Sequence, residues 1–507
     1  MKKTKILAVL AGAIGLSLVG SASTYAAINT DTNNGKVLAT SPNNTISVSN
    51  VESTDTFTYC KIVDIKYDQA TNAVSYNFTS DFQTFLSNST TYNTLTIDTY
   101  RTYTGSAEGR ITGDTNLDRL AGDYAKYLRQ NGSSCSSMTV SGTSATGTVA
   151  EAGSYIILPT SSTKVYSVMI ANIGVKTQET SGTVDYVLDS ANADITAKKG
   201  NPGAVLKTAN KDIVAIGETI TYTLEASVPS YPSNVVNTAY KITDTPATGS
   251  TVVFDTTYTP VVKAGGATLD SSKYTITFTS TSLVVDIPET KGLTSPITVE
   301  YHAKLSDASR AGVAQGNEVV MEYPVDFYNP SSAKTSSTAS KNVKTLGVKI
   351  KKTSDESGNP ALAGAEFQLF TNSNATGTPI TCYTDIAGGS ATNTTLTTGA
   401  VQGEDGVAIC RGLTTGTYYL KETKAPVGYT LNSSIITVEV TADNATSGIS
   451  GSATYTTGYK QQDVVNTKTN FALPFTGGRG VVIYAIAGIS IVTVASVYYA
   501  RKKKQEA

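Results

Sequence analysis

The side chains able to do chemistry are sparse in this chain. It has one histidine, His302, in the alternating run ITVEYHAKL, where a strand histidine packs more often than it catalyses. No HExxH, no Cys–His pair and no paired carboxylates at a recognisable spacing occur. Asp114 and Asp118 stand near one helix start, where acids serve the helix dipole. An enzyme, a metal site and a resident cofactor are therefore not expected. Four cysteines remain, Cys60, Cys135, Cys382 and Cys410, and four allow three pairings. What stands out is Leu473-Pro474-Phe475-Thr476-Gly477. It lies just ahead of an uncharged apolar run at 481–500 and the tail Arg501-Lys502-Lys503-Lys504.

About 20 apolar residues cross a bilayer as a helix, and a basic cluster behind them stays cytoplasmic. Everything upstream is then held outside the cell. In this setting the five residues resemble the LPxTG sorting signal of Gram-positive surface proteins. That resemblance implies cleavage by a sortase between Thr476 and Gly477, with the Thr476 carbonyl held as a thioester and then passed to an amine. The front end agrees. Met1-Lys2-Lys3-Thr4-Lys5 is a basic n-region, residues 6–20 are apolar, and 21–26 supply small residues for cleavage near Ala26 or Ala27, so 1–26 reads as a secretory signal. Removing both ends takes eight of the 39 basic residues and one of the 40 acidic ones, leaving 31 against 39. That acidic balance argues against nucleic acid as a partner.

The mature length is too great for one core, so about three domains are expected. Trp is absent, Gly numbers 42, and short alternating runs separated by turn residues recur. This is an all-β pattern, flanked by the signal peptide and the C-terminal transmembrane helix; the resemblance to sortase-anchored surface proteins implies tandem immunoglobulin-like (Cna-type) β-sandwiches. The expected divisions are 28–197, 198–343 and 344–470, with the sorting region at 473–507. The pairings Cys60–Cys135 and Cys382–Cys410 keep each bridge inside one such domain. In the first domain, Leu117, Leu120, Ala121, Tyr124 and Leu128 make one face of a helix over 117–130, stopped by Asn131-Gly132. Phe82, Phe85 and Leu86 are also at helical spacing.

In the second domain the order VLKTAN, GETITYTLEASVP, YKITDTPATG, GNEVVMEY resembles the fimbrial isopeptide-forming domain of sortase-assembled pilin backbones. In that family a lysine on the first strand bonds to an asparagine on the last, assisted by a buried acid. The resemblance carries these roles onto Lys207, Asn317 and Asp244. Burial explains the residue types: it favours a neutral, nucleophilic amine and a protonated acid that polarises the carboxamide.

In the third domain TYYLKETKAPVGY at 417–429 is similar to the YxLxETxAPxGY box of Cna-B-type domains. LGVKIKK and LAGAEFQLF precede it, and DVVNTK follows. The resemblance implies a bond from Lys349 to Asn466 with Glu422 as proton shuttle. Lys351 shares the face of Lys349 and competes with it, since strand side chains alternate. Lys352 is expected on the other side, in solvent.

Pilin backbones carry their acceptor lysine at the end of the first domain, often in a YPK-type motif. The corresponding place here reads Ile195-Thr196-Ala197-Lys198-Lys199, without Tyr-Pro. Lys198 is the first candidate and Lys199 the second. The resemblance thus implies a shaft subunit joined head to tail by a sortase to other copies of itself. It implies attachment to cell-wall peptidoglycan, with minor pilins and host surface ligands as further partners. The alternative is a monomeric wall-anchored adhesin on the cell surface. A surface hydrolase ranks third.

Overall fold

The computed structural model describes residues 36–38, 40–68, 73–103, 115–161, 163–180, 183–189, 193–201, 203–231, 235–469 and 479–505. The expected signal sequence at 1–26 and the pentapeptide at 473–477 lie outside them. The chain forms two compact units. One holds 1–212, 218–304 and 315–343; the other holds 213–217, 305–314 and 344–507.

The first unit begins with a seven-stranded sheet built on Thr56–Asp68, Gly153–Thr160 and Met169–Thr180. A four-stranded sheet contains Asp194–Thr196, Thr40–Ser49, Ser144–Glu151 and Thr139–Ser141 in that order. Strand Thr56–Asp68 shifts register between Lys61 and Val63, so consecutive residues Ile62 and Val63 are both buried. The helix Thr115–Asn131 buries Leu117, Leu120, Ala121, Tyr124 and Leu128, the face its spacing requires. Gly132 follows at φ +76°, a conformation glycine adopts without strain and one that stops a helix. Phe82 and Phe85, from the helix Ser80–Asn88, meet Tyr124 with ring centroids 4.7 and 5.0 Å away. Cys60 and Cys135 are bonded, Cα atoms 4.6 Å apart, pinning the chain after the long helix to the sheet.

A sandwich follows within the same unit. One sheet contains Val205–Ala209, Ile220–Ala226 and Ile297–Leu305; the other contains Ser282–Ile287, Tyr240–Pro246, Gln315–Pro324 and Lys334–Val343. Ile220, Tyr222, Leu224 and Ala226 point inward against Ile297, Val299, Tyr301 and Ala303, as period-two alternation dictates. The strand Lys334–Val343 is polar along its length and pairs on one side only, at the sheet edge.

The second unit is another sandwich. Its first strand, Leu346–Ser354, lies between Glu404–Leu413 (antiparallel) and Tyr459–Asn466 (parallel). The facing sheet carries Glu366–Phe370, Gly416–Lys424 and Ile436–Val440. Val348, Ile350, Phe367, Leu369, Leu420, Val438 and Val464 fill the space between. Cys382 is bonded to Cys410 in this core. Arg411 is fully buried, and its guanidinium donates to the carbonyls of Asp385, Ser309 and Gly389. Ser309 belongs to the 305–314 segment, so this arginine fastens that segment to the sandwich. Arg411→Met will remove the guanidinium donor from three carbonyls, of which Asp385 O keeps the Gly388 amide. The bond to Ser309 O is the buried one, and at about 1–3 kcal/mol for a buried group that loses its partner the second unit is destabilised by that order, measurable as a lowered urea midpoint.

The C-terminal helix runs Arg479–Gln505, and Ile486, Ile489, Ile491, Val492 and Val494 are exposed on it. Among the described residues no helix is long and apolar enough to cross a membrane. The side chains of residues 481–484 lie outside that description, so the expected span 481–500 falls partly beyond it.

Candidate functional site: two buried lysine–acid–asparagine clusters

Strand alternation places Val205 and Lys207 on the inner face of their strand, and the Lys207 side chain is fully buried. Asp244 and Asn317 arrive from the opposite sheet, on Tyr240–Pro246 and Gln315–Pro324, both with no exposure. The cluster therefore spans the sandwich. Lys207 Nζ donates to the Asp244 carboxylate and, at 3.0 Å, to the Tyr301 hydroxyl oxygen. Tyr301 in turn donates to Asp244 Oδ1 at 2.9 Å and accepts from Asn317 Nδ2 at 2.6 Å. Tyr222 stacks on Tyr301 with centroids 5.5 Å apart, and the Lys207 ammonium lies 4.7 Å from the Tyr222 ring centroid. Asn317 Oδ1 is buried and makes no hydrogen bond among the described residues.

The electrostatics follow from burial. Desolvation lowers Lys207 to about 8, against the pull of Asp244. Desolvation also raises Asp244 above the ordinary carboxylate range, with Lys207 opposing it. Both shifts favour the neutral pair, an amine beside a carboxylic acid. Asn317 Oδ1, buried and without a hydrogen bond among the described residues, is the oxygen that must be polarised if the amine attacks the carboxamide carbon. Asn317 lies on the penultimate strand; the polar edge strand Lys334–Val343 comes after it.

The third-domain cluster corrects the sequence expectation. Lys349 is buried, but its amine bonds Gly448 O at 2.7 Å and stands 3.3 Å from the Glu404 carboxylate. Lys351, its competitor, also meets Glu404, and donates to Asp405 O at 2.8 Å. The lysine at Asn466 is Lys352: fully buried, its Nζ lies 2.6 Å from Asn466 Oδ1 and 3.1 Å from Val464 O. Asn466 Nδ2 donates to Glu422 Oε1 at 2.8 Å, and Glu422 Oε2 accepts from the Asn432 amide at 2.7 Å. The reason is parity. Val348 and Ile350 point into the sandwich, and Lys352 continues their row, as Asn466 continues that of Val464. Lys349 and Lys351 take the other face, beside Ile409 and Val407. Burial lowers Lys352 to about 8, with Glu422 pulling it upward. Here lysine and asparagine sit on neighbouring parallel strands of one sheet, whereas the earlier cluster joins two sheets.

Both clusters thus consist of a buried lysine, a buried acid and a buried asparagine. The aromatic pair around Lys207 was missed from sequence, although alternation in ITVEYHAKL and ITYTLEA already turns Tyr301 and Tyr222 inward. His302, on the other face of its strand, stacks on Tyr258 with centroids 3.6 Å apart. Of the junction lysines, Lys198 is exposed, and Lys199 pairs with Glu52 at 2.9 Å.

By fold this is a mostly-β chain built of sandwich domains, two of which hold such clusters. Comparison makes this more particular. Residues 347–453 match the SpaA prealbumin-like fold domain. Among solved structures, the T6 backbone pilin of serotype M6 Streptococcus pyogenes is similar over 84% of this chain and 98% of its own, at 17% identity and TM-score 0.57. The full-length major pilin SpaD of Corynebacterium diphtheriae covers 89% of this chain and 95% of its own, at 18% identity and TM-score 0.47. The major pilin subunit BcpA of Bacillus cereus covers 84% of this chain and 99% of its own, at 13% identity and TM-score 0.44. No match was found among curated proteins. The T6 likeness establishes a shared fold.

Proposed function

We propose that this chain is the shaft subunit of a covalently polymerised Gram-positive pilus, a structural protein and not an enzyme. The observation that carries the reading is the pair of buried clusters, Lys207–Asp244–Asn317 and Lys352–Glu422–Asn466. Such clusters suit a chain under tension, and the fold shared with the T6 backbone pilin supports the same role. In each cluster the neutral lysine amine attacks the asparagine carboxamide carbon. A C–N bond forms, the carboxamide C–N bond breaks, and the buried acid passes the proton that lets ammonia leave. The product is an amide across the domain. Tension between the termini then runs through covalent bonds, and forced unfolding depends on the barrier that remains.

Residues 1–26 direct export, and 28–197, 198–343 and 344–470 act as three modules. The sorting region 473–507 holds the precursor in the membrane until a sortase acts. The exposed apolar side chains of the C-terminal helix agree with a lipid environment for that stage. The enzyme's thioester at the Thr476 carbonyl is attacked by a lysine amine of the next copy; the C–S bond breaks, and the proton passes to the departing thiolate. Linkage of this head-to-tail kind need not close, so it builds a fibre. The last copy is passed to peptidoglycan. Minor pilins and host ligands are further partners, and nucleic acid is not.

The test is a denaturing gel of cell-wall extract probed for this protein. Wild type should give a ladder of heat-resistant multimers, and deletion of 473–477 should abolish it. A single wild-type band would overturn the fibre and leave a singly displayed adhesin.

A further inference from the structure

The two junction lysines are adjacent in sequence but differ sharply in surroundings. Ile195 and Ala197 are buried, and Thr196 and Lys198 are exposed, so the segment alternates as an extended edge. Its backbone is pinned on both sides. The Ala197 amide donates to Ser49 O at 2.9 Å, and Asn50 Nδ2 donates to Ala197 O at 2.8 Å. The Ser167 amide donates to Lys198 O at 3.1 Å, and Lys199 pairs with Tyr166 in a two-residue ladder. Asn50 sits at φ +62°, a left-handed conformation that asparagine tolerates better than most residues. Lys198 is therefore presented from a fixed backbone, and its side chain has no hydrogen bond or ion pair among the described residues.

Lys199 is held back. Its amine meets Glu52 Oε1 at 2.9 Å, and its side chain is only 18% exposed. Glu52 lies 3.8 Å from the amine of Lys164, which also donates to Asn201 Oδ1 at 2.6 Å. The Glu52 amide donates to the Tyr166 hydroxyl at 3.1 Å, and that hydroxyl donates to the buried Asp55 at 2.7 Å. The Glu52 backbone is thus anchored through Tyr166, and its carboxylate lies between the amines of Lys199 and Lys164.

We propose that Glu52 is a specificity-determining residue for the transfer reaction: by folding Lys199 onto the domain it leaves Lys198 as the amine that receives the Thr476 acyl group. This rests on the fibre reading above. Glu52 touches neither the thioester nor the attacking amine, so it acts as a positioning residue, through Lys199.

Four full-length chains expressed in the native cell wall test this. Lys198→Ala removes the presented amine, and the ladder falls roughly a hundredfold, the scale on which a misplaced reacting group costs rate. Lys198→Ala/Glu52→Ala releases Lys199, and the ladder returns, with branched peptides at Lys199 in the digested fibre. Glu52→Ala alone gives branches at both lysines, and Glu52→Asp keeps them at Lys198. A structural defect at Glu52 would lower the ladder further in the double variant and could not restore it. Failure of the double variant to polymerise, a surviving ladder in Lys198→Ala, or wild-type branches at Lys199 would overturn the assignment of Glu52. A wild type without any ladder overturns the fibre reading itself, and the assignment with it.

Discussion

Lys352→Ala will lose one internal cross-link, and Lys349→Ala will keep it. By intact mass, the secreted wild type should be two ammonias lighter than its sequence after allowing for two disulfides, as the two proposed bonds require. The Lys349 variant shows the same deficit, and the Lys352 variant only one. The structure separates the two lysines by environment. Lys352 touches the Asn466 carboxamide, while Lys349 is committed to Glu404 and Gly448. The stability effect should be large. The bond closes a loop of 114 residues. In the chain-entropy account a tie across ~100 residues contributes about 5 kcal/mol at 25 °C. For a unit of this size, at roughly 2–4 °C per kcal/mol, its loss lowers the melting temperature by ~10–20 °C. Retention of the full deficit in Lys352→Ala, with loss in Lys349→Ala, would restore the expectation from motif position.

That correction shows where sequence reasoning stops. The sandwich architecture is legible because alternation is a property of the strand itself: Ile220, Tyr222, Leu224 and Ala226 could face only one way together. The helix Thr115–Asn131 is legible for the same kind of reason, through Leu117, Leu120, Tyr124 and Leu128. Motif position, by contrast, selected Lys349 without asking which face Val348 and Ile350 occupy. With Val348 and Ile350 inward, alternation turns Lys352 inward too. The strand Lys334–Val343 was missed because KTSSTASKNV has no apolar alternation; it exists through its ladder with Gln315–Pro324. The seven-residue helix Ile97–Tyr103 is too short for a periodic signal, and Tyr100 is its buried residue. The pairing of Lys199 with Glu52 joins residues 147 apart, and no local pattern announces it.

In the second domain, Asn317→Ala will reveal a pH dependence that the bonded protein lacks. Without the acceptor, Lys207 remains an amine buried against Asp244. Its folded value of about 8 lies below the ordinary 10.5, with burial as the main cause. Between those values the unfolded chain binds more protons than the folded one, so stability rises with pH across that window. At 1.36 kcal/mol for each unit, the rise is roughly 3 kcal/mol, read as unfolding free energy from pH 8 to 10.5. With the proposed bond in place, the wild-type nitrogen is an amide that does not titrate and contributes no such slope. Asp244 runs the other way: its value is raised from 3.8, so its contribution is full below 3.8 and fades as pH climbs through the raised value. The two contributions have opposite sign, and only the one that rises with pH belongs to Lys207. Asp244→Ala should cost more than Asn317→Ala. It removes the acid needed for the bond and also leaves the Lys207 amine and the Tyr301 hydroxyl without their buried partner, at about 1–3 kcal/mol for each unsatisfied buried group. An alkaline slope of equal size in wild type and Asn317→Ala would mean that Lys207 is a free amine in both, and that the amide does not form.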